Sequence, residues 1–344
     1  MAQPPSLTVR VVEVIRETAD AHSLVLEPAD GTHEKFGYRP GQFLTIRVPS
    51  DREGGAARCY SLCSSPLRDE KLKVTVKRTV NGYGSNWICD NVVEGDTLEV
   101  LRPAGTFTPA TLDEDFLLLA AGSGITPVMS ILKSCLYGGT GSVTLLYANR
   151  DENSVIFRDE LVTLAQEYGD RLTVVHWLET VQGLPTPSGL RALAAPYTGR
   201  QAFICGPGPF MELATTTLTG LGTPPERVHV ERFTSLTTDP FAAPETTAAP
   251  SGPKSTVEVE LDGKTRTVDW PAGRKLLDAL LEAGLDAPFS CREGACSACA
   301  CVLREGEVTM ERNEVLDSQD LADGLILACQ ALPVSERLKV TYDG

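Results

Sequence analysis

Four cysteines carry the most specific chemistry in this 344-residue chain. Cys291, Cys296 and Cys299 follow the pattern C-x4-C-x2-C, and Cys329 comes further along. Three thiolates on one loop, with a fourth brought in from elsewhere, is the spacing that wraps a cluster of two irons and two sulfides. The intervening residues, Arg292-Glu293-Gly294-Ala295 and Ser297-Ala298, include several small ones. Small residues let backbone N–H groups approach sulfur, and such hydrogen bonds raise a cluster's reduction potential. The alternative is a zinc site, but zinc ribbons commonly pair two C-x2-C units and only one is present. Cys301 would share a strand face with Cys299 and reads as a packing thiol. Cys59, Cys63, Cys89 and Cys135 read as buried apolar thiols.

Ser290 to Leu303, with Gly324-Leu325-Ile326-Leu327-Ala328-Cys329-Gln330, resembles plant-type ferredoxin domains. Joined behind the motifs described next, it resembles the ferredoxin-NADP reductase superfamily. Along nearly the whole length the chain is similar to reductase components of bacterial 3-ketosteroid 9α-hydroxylases. The phenylacetyl-CoA epoxidase reductase subunits are the next nearest. The resemblance implies FAD at Arg58-Cys59-Tyr60-Ser61-Leu62, which matches the family's R-x-Y-S motif. On a strand Arg58 and Tyr60 share one face. Arg58 can pair with a pyrophosphate, the Tyr60 ring can stack on the isoalloxazine, and Ser61 can offer its hydroxyl near the flavin N5. Gly84, Ser85 and Asn86, within Gly82-Tyr83-Gly84-Ser85-Asn86-Trp87, resemble the family's backbone clamp on the pyrophosphate at a helix start. Lys77 resembles a residue lining the same cofactor, or is a solvated strand lysine.

The nucleotide motifs come next in the chain. Gly122-Ser123-Gly124-Ile125-Thr126-Pro127 follows an apolar run and opens a helix, so its N–H groups could cradle dinucleotide phosphates. It departs from G-x-G-x-x-G at Pro127. Cys205-Gly206-Pro207-Gly208-Pro209 resembles the family's C-G-P motif, which implies that Cys205 packs by the reacting nicotinamide carbon. The resemblance also places Glu231 and Phe233 beside the flavin. Asn149, Arg150 and Asp151 end the second strand of this region, where an adenosine ribose should lie. Asp151 could accept from a ribose 2′-OH, which suits NADH. Arg150 could bind a 2′-phosphate, which suits NADPH. The two charges leave the choice balanced, and the ketosteroid hydroxylase resemblance favours NADH. The four histidines fall in no motif and read as structural.

These residues need three scaffolds. Residues 1–110 read as short alternating strands separated by turns such as Pro40-Gly41 and Asn81-Gly82, which predicts an antiparallel β-barrel FAD domain. From 111 to 236 apolar strands alternate with helices, predicting an α/β Rossmann-like nucleotide domain. Residues 237–254, rich in Ala, Pro and Thr, read as a semi-extended linker. Residues 255–344 combine a hairpin around Asp262-Gly263, a helix and the cysteine loop, and the resemblance implies a β-grasp ferredoxin domain.

Formal net charge is −15, which disfavours nucleic-acid binding. From Ser255 onward there are 9 Lys/Arg against 17 Asp/Glu, a net of −8, which suits solubility or docking to a basic protein surface. The longest apolar stretch, starting at Phe116, is broken by glycines and Pro127, so no membrane span is expected. A cytoplasmic monomer is expected, with a terminal oxygenase as protein partner. A reduced nicotinamide gives up two electrons as hydride, a 2Fe-2S cluster accepts one, and a flavin handles both, so it must stand between them. The expected route is NADH, or NADPH, to FAD to 2Fe-2S to the Rieske centre of an oxygenase, with a di-iron monooxygenase as the alternative acceptor.

Overall fold

The computed structural model describes residues 6–50, 56–236, 238–242, 254–316 and 318–343. The first unit is an antiparallel barrel. Its strands are β1 (Leu7–Arg16), β2 (Ala21–Pro28), β3 (Phe43–Val48), β4 (Ala56–Ser61), β5 (Leu72–Lys77) and, after helix α1 (Tyr83–Asn91), β6 (Thr97–Val100). The sheet order is β4-β3-β6-β1-β2-β5. A bridge between Leu62 and Val74 joins the two edges, so the barrel closes on itself. Leu24, Leu44, Ile46, Leu62 and Val74 fill it, none with any exposed surface.

The second unit is a parallel sheet: β7 (Phe116–Ala121), β8 (Val143–Asn149), β9 (Leu172–Leu178), β10 (Gln201–Cys205) and β11 (Val228–Glu231), in the order β11-β10-β7-β8-β9. All six residues of β7 are buried, as a central strand covered on both faces requires. Helices α2 (Ile125–Gly138), α3 (Arg158–Glu167), α4 (Glu179–Gln182), α5 (Pro187–Ala194) and α6 (Gly208–Gly220) complete the unit. The strand order reverses between β7 and β10. Ligands of open α/β sheets bind at such a switch point, beyond the carboxyl ends of the strands.

The third unit is a mixed sheet of β12 (Lys254–Leu261), β13 (Lys264–Pro271), β14 (Ala300–Glu305), β16 (Leu325–Leu327) and β18 (Arg337–Thr341), in the order β13-β12-β18-β14-β16. The small pair β15 (Val308–Met310) and β17 (Ala331–Pro333) and helices α7 (Leu276–Glu282) and α8 (Ser318–Ala322) complete it. The β12–β13 turn is the expected hairpin: Asp262 and Gly263 both have positive φ, 53° and 68°, as a type I′ turn demands. β12 pairs with β18 in parallel, and α7 packs on the sheet. This is a β-grasp.

The linker reading needs correction at its start. Leu236 and Phe241 are buried in the core of the third unit. The Thr238 N–H donates to Glu293 at 2.6 Å and its hydroxyl to the Cys291 carbonyl at 3.0 Å. An apolar ring among prolines found a surface to bury against, so these residues dock onto the cysteine loop. Of the predicted linker, residue 237 and residues 243–253 lie outside the described residues. No helix among the described residues is long and apolar enough to cross a membrane.

Candidate functional site

Three cavities meet where the units touch. The first, about 300 Å³, lies between β4, β5, the start of α1 and the segment after β11. Arg58, Tyr60 and Ser61 line it, with Gly84 and Ser85 from the α1 N-terminus. The alternation of β4 supplies this: Arg58 and Tyr60 project on one side. Gly84 is a glycine for a packing reason, since a Cβ there would sit 2.8 Å from Arg58 Cγ. Only a bare backbone lets the arginine lie across the helix start, where unpaired N–H groups favour an anion. The Thr79 N–H donates to Ser85 Oγ at 3.1 Å and fixes the turn before the helix. Burial pushes the Tyr60 hydroxyl upward, so the ring stays neutral.

Some predicted residues serve this cavity from outside. Asn86 does not line it; its Nδ2 donates to the carbonyls of Gly82 and Thr79 and braces the turn. Leu62 points into the barrel core. Thr126, expected at the nucleotide, lines the flavin side together with Ser123. α2 starts between two cavities, and the packing decides which one a side chain meets.

The second large cavity, about 450 Å³, lies at the carboxyl ends of β7, β8 and β10. Gly122, Asn149, Arg150, Pro207 and Phe210 line it. Both side-chain polar atoms of Asn149 are buried without a hydrogen-bond partner. Such orphans call for a polar ligand group. Gly124 and Gly206 serve packing. A Cβ on Gly124 would meet the Cys205 carbonyl oxygen at 2.1 Å, and one on Gly206 would meet Ala121 and Phe210 at 3.0 Å. Asp151 is corrected as the ribose acceptor. Its carboxylate accepts from the Ser154 N–H at 2.9 Å, capping a short turn, and pairs with Arg150 at 3.2 Å. The carboxylate that does line the cavity is Glu179, directly after β9. An acidic residue at the carboxyl end of the next parallel strand was the available signal. Lys77 lines this cavity and the flavin-side one.

A third, small space of about 30 Å³ lies between Ser61, Glu231, Phe233 and Cys296. Phe233 and Ser61 face it and the flavin-side cavity alike, and Phe233 remains 51% exposed. Cys205, with no exposed surface, is the register partner of Glu231 in the sheet. Burial pushes the Cys205 thiol well up and the Glu231 carboxyl up to about 8. Burial thus favours the neutral form of each.

Cys296 opens onto the cysteine loop. Arg292, Gly294 and Ser297 have φ of 57°, 77° and 51°. Two non-glycine residues in the left-handed region make a costly loop, held by its surroundings. The conformation turns N–H groups inward: those of Glu293 and Ala295 point at Cys291 Sγ at 3.3 and 3.4 Å, and that of Cys329 at Cys299 Sγ at 3.4 Å. Hydrogen bonds from Cys296 and Cys329, then the Glu293 and Ala295 amides, pull the Cys291 thiol far below the ordinary range. Among the described residues no three His, Cys, Asp or Glu are placed to hold a single metal ion. Four thiols ringed by donors to sulfur suit a dinuclear cluster, in which each iron takes two cysteines. Cys301, also buried, contacts the Tyr342 hydroxyl and stands outside the four.

Comparisons with known proteins agree with this geometry. Residues 8–108 match an oxidoreductase FAD-binding domain, 118–216 an oxidoreductase NAD-binding domain and 259–334 a 2Fe-2S iron-sulfur cluster binding domain. The chain is 60% identical to the 3-ketosteroid-9-alpha-monooxygenase ferredoxin reductase component of Mycolicibacterium smegmatis, covering 98% of this chain and 97% of that protein. The chain belongs to the flavin and 2Fe-2S reductase family. It is also 35% identical to one component of the Escherichia coli 1,2-phenylacetyl-CoA epoxidase, over 98% of this chain and 97% of that one. Among solved structures it is similar to phthalate dioxygenase reductase, with a TM-score of 0.58, 26% identity and 98% of each chain covered. It is therefore an oxidoreductase with FAD, nucleotide and 2Fe-2S domains.

Proposed function

We propose that this reductase takes hydride from NADH and passes single electrons to the Rieske oxygenase of a 3-ketosteroid 9α-hydroxylase. The observation that carries the reading is the line of three adjoining cavities, with Lys77 shared at one junction and Ser61 and Phe233 at the other. The flavin supplies the change from two-electron to one-electron chemistry when bound. Arg58 and the α1 N-terminus hold its pyrophosphate, Tyr60 covers a ring face, and Ser61 hydrogen-bonds near the reacting position. Asn149, Gly122 and Pro207 hold the nicotinamide nucleotide, and Cys205 packs under it. Cys291, Cys296, Cys299 and Cys329 ligate the cluster. Glu179 favours NADH, because a carboxylate accepts from a ribose 2′-OH and repels a 2′-phosphate. The working limits are a flavin unit ending near 110, a nucleotide unit ending near 236 and a 2Fe-2S unit beginning near 254, in a cytoplasmic monomer.

The test combines the purified reductase, NADH, the terminal oxygenase component and a 3-keto steroid. Hydroxylated steroid, formed in proportion to NADH consumed, is expected. A di-iron epoxidase accepting its electrons far faster than the steroid oxygenase would reverse the choice of partner.

A further inference from the structure

Cys59 lies between Arg58 and Tyr60, so its side chain leaves the opposite face of β4. That face meets the 2Fe-2S unit. Cys59 Sγ lies 3.3 Å from Ser290 Oγ, and Ser290 immediately precedes Cys291. Thr45, the register partner of Cys59 on β3, donates its hydroxyl to Ser290 Oγ at 2.7 Å. Thr45 Oγ1 and Cys59 Sγ are 3.6 Å apart. Thr45 and Ser290 are each 1% exposed. Around this triad the seam is apolar: Phe43, Ala104 and Ala298 pack with Cys59 and Cys296, and Ala57 and Leu101 of the barrel join the core of the 2Fe-2S unit.

We propose that Thr45, Ser290 and Cys59 form a docking latch that seats the cysteine loop on the flavin strand and so sets the rate of flavin-to-cluster electron transfer. The three are positioning residues: Thr45 and Ser290 lie outside the flavin-side cavity, and Cys59 borders it. The physical reason is register. In a dry seam the two hydroxyls find partners only when the units meet in one alignment. A slip of the seam leaves buried polar groups unpaired, which is costly. A purely apolar seam would permit sliding at little cost, whereas a buried polar contact selects one arrangement. Chain continuity completes the path: Cys59 adjoins Tyr60 and Ser61 at the flavin-side cavity, and Ser290 adjoins Cys291. The transfer itself makes and breaks no bond in the latch; one electron leaves the flavin and arrives at the cluster.

The latch rests on the assignment of the cluster to the four cysteines, and the experiment keeps the two apart. Full-length protein is prepared as Thr45→Val, Ser290→Ala, their double variant, Cys59→Ala and Cys59→Ser. Iron content and the electron paramagnetic resonance spectrum of dithionite-reduced protein report the cluster. Wild-type protein without iron would overturn the cysteine assignment itself. Anaerobic stopped-flow mixing with NADH then resolves flavin bleaching from cluster bleaching, and hydrogen exchange is followed over residues 43–48 and 290–295. In Thr45→Val, which lies outside the cysteine loop, flavin reduction stays within about twofold while cluster reduction falls about tenfold, the effect of leaving one buried hydroxyl unpaired. Exchange rises on both sides of the seam, and the cluster's midpoint potential does not move. The double variant is no slower than the worse single variant, because both remove the same contact. Cys59→Ser keeps the wild-type rate and Cys59→Ala does not. Unchanged cluster reduction in Thr45→Val, or single effects that multiply in the double variant, would overturn the latch. So would unchanged hydrogen exchange.

Discussion

Glu231 offers the sharpest test of the site's electrostatics. Its carboxyl ends β11 in the small space shared with Ser61, Phe233 and Cys296, and burial raises it from 4.5 to about 8. That rise corresponds to roughly 5 kcal/mol in favour of the neutral form. A hydride delivered to a flavin held here would bring negative charge to this region. A neutral acid beside it can donate a hydrogen bond, whereas a carboxylate would oppose the new charge in a low dielectric. About half of the protein carries the carboxylate at pH 8 and about nine-tenths at pH 9. The rate of flavin reduction by NADH should therefore fall about tenfold between pH 7 and pH 9, and Glu231→Gln should flatten the profile. Stability follows the same sign. The folded chain keeps a proton that the unfolded chain releases between about pH 4.5 and 8, so folding weakens as pH rises through that window. The glutamine variant should lose that slope. Stopped-flow reduction across pH 6–9.5, with thermal unfolding over the same range, checks both. A wild-type profile without a break between pH 7 and 9, or a break that survives in Glu231→Gln, would refute the reasoning.

Three further outcomes are expected. Gly124→Ala places a methyl 2.1 Å from the Cys205 carbonyl oxygen, where only backbone can yield; it should cost about 2 kcal/mol in thermal unfolding and sharply slow reduction by NADH. Glu179→Ala should raise the NADPH-to-NADH ratio of kcat/KM by about tenfold, the size of one lost charge-assisted hydrogen bond, while Asp151→Ala leaves the ratio alone. Glu160→Gln should destabilise the contact between barrel and nucleotide unit by about 1 kcal/mol, read from the unfolding midpoint. It strips a carboxylate from Lys73 at 2.8 Å and one of two from Lys133, which is 3% exposed and keeps Asp69 at 2.5 Å.

What the sequence made legible is what local chemistry decides. The cysteine spacing, the Arg58-to-Leu62 strand and the Gly122-to-Pro127 turn are short, and their geometry follows from their own residues. The barrel, the parallel sheet and the hairpin at Asp262-Gly263 follow from periodicity and turn chemistry. Less legible was anything that two segments decide together. Asp151 has the right chemistry for a ribose, but Ser154, three residues on, captures its carboxylate as a cap. Asn86 bends back to two carbonyls of its own turn. Thr126 opens the expected helix, yet that helix start faces the flavin side. Cys59 reads as a packing thiol and does pack, but against a domain more than 200 residues away in the chain, a contact no local pattern encodes.

The order of the three units in the chain is not their order in space. The flavin unit comes first, yet its cavity lies between the other two. The segment after β11 makes this possible. Glu231 pairs with Cys205 at the end of the nucleotide sheet. Two residues later Phe233 lines the flavin-side cavity. Thr234 donates to the Ala295 carbonyl at 3.2 Å, and Thr238 bonds to Glu293 and Cys291. Phe241 then sits in the core of the 2Fe-2S unit, with the Arg47 guanidinium of the barrel 5.3 Å from its ring centroid. A short stretch of chain therefore touches the nucleotide sheet, the flavin-side cavity and the cysteine loop in turn. Packing on both sides of the flavin-side cavity is thus tied to one strand end.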